Sequence, residues 1–414
     1  MNLRWWVCIL LFLTWVMSYI DRSLMPMALP SIGKEFDLGP TLMGAVISSF
    51  FAGYGLMQIP GGLIADRIGA RRSVVLGVAS WSIFSFLTGT VANLRSLIGV
   101  RICFGLGEGI HPPATFKMLA GWFNSGERSR ANGIMMSSNT IGPMVTPILF
   151  AAIIKAFGWR QAFYVVSIPG LLIAAAAYYF LRDNPVEHPR MTTEELTKIG
   201  SGNEPRTNIS FAELLKYKTL WQLFFIYMTW DVTWWGFQAW LPSYLLNARG
   251  FSMLRTGALA TLPFAGGFVG LMLAAYLSDW SGRRKFVLLV ALSGNALFMV
   301  LTATASTTTR AVIFLTITGF FLPAIQGPFW SLPMDLLPAK VMGYSTGFIN
   351  TGGQIAGVIA PIIMGLLIQV TKHYEAGFVF MAISASVSAV LVAMLKDQGR
   401  GTMPSGLWHK ERSI

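Results

Sequence analysis

The sequence predicts an all-α membrane protein with twelve transmembrane helices, arranged as two pseudo-symmetric six-helix bundles. Three observations support this fold class. Only 12% of the 414 residues are charged and 54% are hydrophobic, with a mean hydropathy of +0.58, whereas soluble domains carry about 25% charged residues. Twelve apolar segments have close to the roughly 20 residues that cross a bilayer. Landmarks of the first half also recur in the second half.

The apolar segments follow one another through short polar loops, except between the sixth and the seventh. The first segment starts at Leu3 and shows no small-residue cleavage site before Asp21, which favours an uncleaved span over a signal peptide. The spans are expected at residues 4–29, 41–65, 73–92, 95–120, 131–155, 161–181, 220–247, 255–279, 285–305, 310–337, 343–370 and 376–396.

The long polar stretch after the sixth span is expected to be a cytoplasmic linker. Its capping-box-like Thr192-Thr-Glu-Glu195 predicts one short amphipathic helix. The predicted domains are an N-terminal six-helix bundle at 1–181, the linker at 182–219, a C-terminal six-helix bundle at 220–396 and a cytoplasmic tail at 397–414.

The basic charge has an uneven distribution. With a cytoplasmic N-terminus, 21 of the 31 Lys and Arg residues lie on cytoplasmic segments, eight lie on outer loops, and Arg22 and Arg101 lie within spans. This asymmetry follows the positive-inside rule. It accounts for the net charge of +13 without a nucleic acid partner, and it predicts two cytoplasmic termini in contact with a lipid bilayer.

The chain offers little for catalysis or cofactor binding. Cys8 and Cys103 both fall within apolar spans, so a disulfide or metal framework is not expected. No metal-ligand cluster, nucleophile elbow or phosphate-binding loop is found in the sequence. We therefore expect no enzyme activity, no cofactor and no metal.

The second and eighth spans end in similar loops, which indicates an internal duplication. Gly62-Leu-Ile-Ala-Asp66-Arg67-Ile-Gly69-Ala-Arg71-Arg72 is matched by Ala275-Tyr-Leu-Ser-Asp279-Trp280-Ser-Gly282-Arg283-Arg284. The interval from Asp66 to Asp279 is nearly the same as the interval from Pro147 to Pro361. Paired six-helix halves related about the membrane normal are the architecture of major facilitator transporters.

The first of these loops resembles the signature loop of that superfamily. Gly69 permits a tight turn, and Asp66 is expected to accept hydrogen bonds from helix N-terminal amides or from a neighbouring arginine. The resemblance implies that the loop latches the two halves together in the outward-open state. The second copy departs from the pattern, so its latch is expected to be weaker. The expected latch residues are Gly62, Asp66, Arg67, Gly69, Arg71 and Asp279.

Two acid and base pairs fall inside predicted spans. Arg101 and Glu108 are seven residues apart, which puts them on one helical face about 10 Å apart along the axis. Each charge near the bilayer centre costs at least ~2.5–3.5 kcal/mol. Such residues mark an ion or substrate pathway, or they form a structural ion pair that locks two helices. Asp21-Arg22, late in the first span, adds another acid and base and favours the pathway.

Several stretches resemble the anion:cation symporter family, which includes bacterial transporters for galactonate, glucarate and hexuronates and animal vesicular glutamate and sialic acid carriers. The resemblance implies proton coupling at Asp21 and Glu108, and anion binding or gating at Arg22 and Arg101. The matching stretches include Tyr19-Ile-Asp21-Arg22, Phe51-Ala-Gly-Tyr54, Arg101-x3-Gly105-x-Gly107-Glu108, Gly158-Trp159-Arg160, Trp240-Leu-Pro242-Ser-Tyr244 and Asn350-x2-Gly353.

Polar residues in otherwise apolar spans are candidate substrate contacts. With Arg22 and Arg101, the substrate-binding candidates are Tyr54, Asn139, Asn350 and Gln326. An Asn within a span is equally able to join helices, a contact worth ~0.6 kcal/mol. His111 is interpreted as a structural group in preference to a second proton site. Asp231 departs from the family pattern, and both a pore-lining and a structural role stay open.

We therefore predict a monomeric symporter of the bacterial inner membrane. It would import a small organic anion (a hexuronate, aldonate, aldarate or similar carboxylate or sulfonate) with protons, or with Na⁺, by alternating access. Protonation of the two acids would leave two arginines for the anion, and this coupling is reciprocal. The alternatives are a drug:proton antiporter, disfavoured because Gly142-Pro143 lacks the following Gly-Gly, and a non-transporting receptor or membrane enzyme.

Overall fold

The computed structural model describes residues 2–199, 215–337 and 342–395, and the regular elements in these ranges are helices. The first half contains α1 (Leu3–Glu35), α2 (Pro40–Ile68), α3 (Ala70–Thr88), α4 (Leu94–Gly109), α5 (His111–Trp122), α6 (Ser125–Phe157) and α7 (Trp159–Phe180). A 3₁₀ turn (Pro185–Glu187) and α8 (Thr193–Ile199) follow. The second half contains α9 (Lys218–Ser243), a π-helical turn (Tyr244–Ala248), α10 (Met253–Ser281), α11 (Arg284–Ala303), α12 (Thr308–Ala324), α13 (Gln326–Leu336), α14 (Met342–Thr371) and α15 (Glu375–Ala393).

All twelve predicted spans coincide with helices of the structure. Nine stretches of the described helices are long and apolar enough to cross a membrane on those criteria alone. The other three spans are α3, the α4–α5 pair and α9. The α4–α5 pair carries Arg101 and Glu108, and α9 carries Asp231. α1, which carries Asp21 and Arg22, is one of the nine apolar stretches, so the candidate site includes residues from both groups of spans.

The fourth and tenth spans are each broken in the middle, which corrects the expectation of continuous helices at 95–120 and 310–337. α4 ends at Gly109 and α5 begins at His111, followed by two prolines. α12 ends at Ala324 and α13 begins at Gln326. Proline supplies no backbone N–H and crowds the preceding turn, which breaks a helix. The interval between the breaks at Ile110 and Ile325 is close to that of the internal duplication, so the break is repeated in both halves.

The two halves pack against each other at one end of the molecule. Gly44 of α2 lies against the backbone carbonyl of Pro361 of α14, and Gly257 of α10 lies against that of Pro147 of α6. A Cβ at either glycine would collide with the facing backbone. The two glycines are separated by the same interval as the duplicated loop aspartates. The two contacts are therefore pseudo-symmetric equivalents.

Burial along α2 shows where the halves diverge. Nearly every residue from Met43 to Tyr54 is buried, whereas only Gly61 and Ala65 are buried in the rest of the helix. Leu56 and Ile59 have 71% and 80% of their surface exposed. The bundles are therefore closed at the end where α2 begins and separate towards the end where it finishes. The candidate site lies near the point of separation.

The linker helix α8 is attached to the first half. Thr192 Oγ1 accepts from the Glu195 backbone N–H at 3.3 Å, as the capping motif predicts. The Glu195 carboxylate does not return to Thr192 but accepts from the backbone N–H groups of Leu3 (3.2 Å) and Arg4 (3.0 Å) at the start of α1. A carboxylate there satisfies free amides and complements the helix dipole. The four domain boundaries stay a prediction, and 200–214 and 396–414 lie outside the described residues.

Candidate functional site

Glu108 forms a buried ion pair with Arg22. Arg22 Nε of α1 donates to Glu108 Oε1 of α4 at 2.7 Å, and the two side chains are only 7% and 1% exposed. Ser18 Oγ, one turn before Arg22, donates to the same carboxylate oxygen. Removing one partner of such a pair leaves an uncompensated buried charge, which costs about 3–5 kcal/mol. Protonation of Glu108 would weaken the hold of this carboxyl on Arg22.

Asp21 lies in the same bundle as this ion pair but has a different partner. Its Oδ1 atom accepts from Ser85 Oγ of α3 at 2.7 Å, and its Oδ2 atom has no hydrogen-bond partner among the described residues. Asp21 is 1% exposed. The adjacent residues Asp21 and Arg22 thus point to different helices, because successive side chains on a helix diverge by about 100°. The two predicted coupling acids therefore have separate sets of hydrogen-bond partners.

Arg101 does not pair with Glu108, although both lie on one face of α4. Its guanidinium lies over the rings of Phe104 (4.6 Å) and Phe50 (5.3 Å), a cation–π arrangement. Its Nε and Nη1 atoms have no hydrogen-bond acceptor in the described part of the chain, and the residue is 2% exposed. A planar guanidinium with free donors is suited to bidentate carboxylate binding. Arg101 is therefore the stronger candidate of the two arginines for the first contact with an anion.

A small cavity joins the two halves at this position. It has a volume of about 20 Å³, room for roughly one water molecule. Arg22 and Arg101 face it from the first half, and Trp235 and Gln238 of α9 face it from the second. The ring of Trp235 lies 4.5 Å from the ring of Phe51. Side chains from both bundles therefore enclose the two guanidinium groups.

The neutral candidates divide into three groups. Tyr54 is 4% exposed and its ring lies 4.5 Å from the Arg22 guanidinium carbon. Asn139 Nδ2 donates to Gln326 Oε1 at 3.4 Å, a contact between the two bundles. Asn350 is half-buried on α14, one turn before Gly353. The structure thus brings Tyr54 to the Arg22 guanidinium and joins Asn139 to Gln326, while Asn350 is not among the residues that line the cavity.

His111 occupies a structural position at the break between α4 and α5. Its Nε2 atom lies 2.7 Å from Thr14 Oγ1 and 3.2 Å from Thr115 Oγ1. The ring packs between Trp15 at 5.5 Å and Trp81 at 5.1 Å. These hydroxyl and aromatic neighbours account for the position of the imidazole without any role in proton transfer. This geometry supports the structural interpretation of His111.

The residues of the signature loop make hydrogen bonds with partners that the sequence did not predict. Asp66 accepts from Lys117 Nζ of α5 at 2.7 Å, not from an arginine or a helix N-terminus. The acceptor at the start of α3 is Asp183, which receives the Arg71 backbone N–H at 2.8 Å. Gly69 has φ = +91°, as a tight turn requires. Sequence analysis missed Lys117 and Asp183, because both are distant along the chain.

The other expected latch residues are exposed or half-buried. Arg71 donates from Nε to the Tyr178 carbonyl at 3.0 Å, which ties α3 to α7 within the first half. Gly62 is half-buried, and Arg67 and Asp279 are exposed. These bonds hold the loop to its own bundle. The expected contact between the two halves in the outward-open state stays a prediction.

Comparison with known proteins gives a consistent family. The Major Facilitator Superfamily model matches residues 11–361. The chain is 31% identical to the "Probable sulfoacetate transporter SauU" of Cupriavidus necator (93% of this chain, 91% of that protein). It is 31% identical to the "Probable L-galactonate transporter" of Escherichia coli (94% and 88%) and 29% identical to the "Hexuronate transporter" of Bacillus subtilis (93% and 93%).

Solved structures show the same fold. A D-xylose-proton symporter superposes with a TM-score of 0.77 at 16% identity, covering 93% of this chain and 96% of that one. A bacterial homologue of the human lysosomal transporter Spinster, described as inward-facing and occupied, gives 0.76 at 17% identity (94% and 96%). The predicted fold class and family resemblance are confirmed. The chain belongs to the Major Facilitator Superfamily, and the protein is therefore a multi-pass membrane transporter and not an enzyme.

Proposed function

We propose that this protein imports a small organic anion with protons across the bacterial inner membrane by alternating access. The observation that carries the proposal is the unequal state of its two buried arginines. Arg22 is neutralised by Glu108, whereas Arg101 lines the same cavity and two of its donor nitrogens have no acceptor among the described residues. The relatives named above are transporters for sulfoacetate, galactonate and hexuronates, all of which are organic anions.

The charge balance supplies a coupling mechanism. Asp21 and Glu108 oppose Arg22 and Arg101, so the site is neutral when all four are ionised. An arriving anion binds Arg101 but has to compete with Glu108 for Arg22. Protonation of Glu108 releases Arg22, so a proton favours the anion and the anion favours the proton. Such coupling is reciprocal by linkage. Asp21, with one oxygen free of partners in the described chain, is the second proton acceptor in this proposal.

The closed end of the molecule is assigned to the outside. The distribution of 21 Lys and Arg residues on cytoplasmic segments against eight on outer loops supports an orientation in which α2 starts outside. The close contacts of Gly44 and Gly257 then seal the outer face. In this assignment the described conformation opens towards the cytoplasm, where an imported substrate would be released. Both termini are cytoplasmic in the same arrangement.

Uptake into proteoliposomes tests the function. The native protein should concentrate galactonate, a hexuronate or sulfoacetate when an inward proton gradient is imposed, and a Na⁺ gradient without a proton gradient should not drive uptake. Efflux of lipophilic cations driven by the same proton gradient, with no uptake of any acid, would indicate a drug antiporter instead. Binding of an acid with no transport under any gradient would indicate a receptor.

Glu108→Gln tests the coupling. Because this change removes the titrating group, accumulation should fall to the equilibrium level, while exchange of labelled for unlabelled substrate continues. Glu194→Gln is a matched control, since the Glu194 side chain is 82% exposed on the linker helix and pairs with Lys198 one turn later. Continued accumulation by Glu108→Gln would exclude Glu108 as the coupling site.

A further inference from the structure

Two buried donor groups of the second half have no partner in the described chain. Trp235 Nε1 and Gln238 Nε2, both on α9, each lack a hydrogen-bond acceptor among the described residues. Trp235 is 9% exposed and Gln238 is 8% exposed. A buried indole N–H or amide group normally has an acceptor, because burial removes the hydrogen bond that the group would make with water. These two groups therefore indicate an acceptor that a ligand supplies.

Both residues line the cavity that the two arginines line from the first half. Trp235 and Gln238 are three residues apart, so they lie on one face of a helix with 3.6 residues per turn. The centre of the Trp235 ring is 6.0 Å from the Arg22 guanidinium carbon. The cavity thus has residues with donor groups on two walls, and each wall belongs to a different bundle.

The residues that line the cavity carry more donors than one water molecule can satisfy. Nε and Nη1 of Arg101, Trp235 Nε1 and Gln238 Nε2 are four nitrogen atoms without an acceptor in the described part of the chain. The cavity of about 20 Å³ has room for roughly one water molecule, which accepts fewer hydrogen bonds than this. A carboxylate has about four acceptor sites, and a sulfonate has one more oxygen. An acid group therefore matches this set of donors.

The internal duplication shows that the two donors of α9 are particular to the second half. Trp235 and Gln238 correspond to Arg22 and Met25 at the interval of the duplication, and Met25 also lines the cavity. The first half thus has a cation and a thioether where the second half has two neutral donors. Neutral donors bind an anion without adding charge, so they leave the balance between the two acids and the two arginines unchanged.

We propose that Trp235 and Gln238 donate hydrogen bonds to the acid group of the substrate, so that both bundles bind this group at once. The inference rests on the proposed function, since it assumes that Arg101 binds the same acid group. Because the two walls belong to different bundles, their separation changes during alternating access, and the cavity widens to admit a group larger than water. The bound acid group then connects the first bundle to the second.

Two variants each remove one donor and keep much of the side-chain shape. Gln238→Met replaces the amide with a thioether of similar length, and Trp235→Phe keeps an aromatic ring without the N–H group. Binding of galactonate and of sulfoacetate to the purified proteins is measured by isothermal titration calorimetry. Each variant should bind the acids about tenfold more weakly than the native protein, as expected for a lost hydrogen bond to a charged group.

The same helix supplies a matched control for each variant. Trp234, next to Trp235, is 3% exposed, and Gln222 is half-buried; neither is among the residues that line the cavity. Trp234→Phe and Gln222→Met make the same chemical changes away from the cavity. Both should keep the affinity of the native protein within about twofold, because they leave the donors of the cavity in place.

A double variant tests whether Gln238 and Arg101 bind the same group. Arg101→Lys shifts the acid group from its native position, so the Gln238 bond is already weakened in that background. Arg101→Lys combined with Gln238→Met should therefore lose less affinity than the product of the two single losses, as for residues that share a partner. A loss equal to the product would place Gln238 on another part of the substrate and overturn the proposal.

The outcomes separate this inference from the proposed function. Native affinity in folded Gln238→Met and Trp235→Phe would overturn the binding of the acid group by the second half while leaving anion transport intact. Equal losses in Trp234→Phe and Gln222→Met would do the same, because the losses would then follow from packing. If neither acid binds the folded native protein, and a hexuronate also fails to bind, the proposed function fails and this inference fails with it.

Discussion

The two halves of this transporter share a fold but contribute different chemistry to the centre. Arg22 and Trp235 occupy equivalent positions, since the interval between them equals that between Asp66 and Asp279. The Arg22 guanidinium carbon lies 6.0 Å from the centre of the Trp235 ring, across the cavity. The first half thus presents a cation where the second presents an indole ring.

This difference indicates a division of labour between the duplicated bundles. The buried charges that we propose to bind and release the anion are concentrated in the first half, where Ser18 and Ser85 donate hydrogen bonds to the carboxyl groups. The second half supplies aromatic walls and the acid Asp231 on α9. We therefore expect the first bundle to determine which ion drives transport and the second bundle to determine which substrate shapes are accepted. By contrast, the contacts made by Gly44 and Gly257 remain equivalent in the two halves.

The largest expected effect tests the charged half at Arg101. Arg101→Lys keeps the positive charge but loses the planar fork that holds a carboxylate through two bonds. We expect the affinity for the acid substrate to fall about 10- to 100-fold, as for a lost charge-assisted bond. Equilibrium binding to the purified variant measures this loss.

The structure also supplies the control for Arg101. Because Glu108 pairs with Arg22 and not with Arg101, Glu108→Gln frees Arg22 whether or not Arg101 is present, so the double variant Arg101→Met with Glu108→Gln should bind the acid more weakly than Glu108→Gln alone. Equal affinity of the double variant and Glu108→Gln would show that Arg101 only balances charge, and the contrast between the halves would then lose its main support.

A smaller effect is expected where the halves are equivalent. Gly44→Ala adds a methyl group against the Pro361 carbonyl, and such overpacking costs about 1–3 kcal/mol. The closed end should open more often, so a membrane-impermeant thiol reagent should label a cysteine at Ile47 at least about fivefold faster. Gly257→Ala should have a similar effect, because its contact with Pro147 is the duplicate of the first.

Gly99→Ala is the control for these variants, since a Cβ at Gly99 has no atom within 4 Å. Labelling should then stay at the native rate. If the labelling rates of Gly44→Ala and Gly257→Ala differ by more than the experimental error, the two contacts do not stabilise the outer closure equally. The two glycines would then be equivalent in sequence position but not in their contribution to stability.

The smallest effect is expected at the signature loop. Asp66→Asn weakens the bond to Lys117, whose side chain is 43% exposed, and exposed ion pairs contribute only about 0–1 kcal/mol. Substrate affinity should stay within about twofold, and the transport rate should fall several-fold if the loop acts in the other conformation. Asp279→Asn in the second copy should lower the rate less. A large loss of equilibrium binding in folded Asp66→Asn would place Asp66 in the site.

Hydropathy and the internal repeat were sufficient to predict the twelve spans, because burial in a bilayer imposes one length and one composition on every helix. They did not predict the breaks at Ile110 and Ile325, since both breaks fall at an apolar residue inside a segment long enough to span the bilayer. Sequence spacing correctly placed Arg101 and Glu108 on one face of α4. It did not reveal that Glu108 pairs with Arg22 instead of Arg101, because Arg22 lies on another helix and the pairing depends on how the helices pack.

The same limit applies to the loops. Asp66 belongs to a recognisable motif, whereas Asp183 and Lys117, which complete the bonding around that motif, come from distant parts of the chain. Glu195 was expected to cap its own helix but binds the start of α1. Each of these contacts is set by how helices are arranged in space, which local sequence does not specify.

The free donors of Arg101 have a consequence for the stability of the protein. The described chain supplies no acceptor for two of its nitrogen atoms. The hydrogen bonds that these atoms would make with water in the unfolded chain are therefore not replaced in the folded protein, which lowers its stability. A ligand that supplies the missing acceptor binds only the folded protein and adds RT ln(1 + [L]/Kd), about 2.7 kcal/mol when the ligand is at about 100 times its Kd. Heating the purified protein with candidate acids should therefore identify the substrate by the rise in Tm, before any transport is measured.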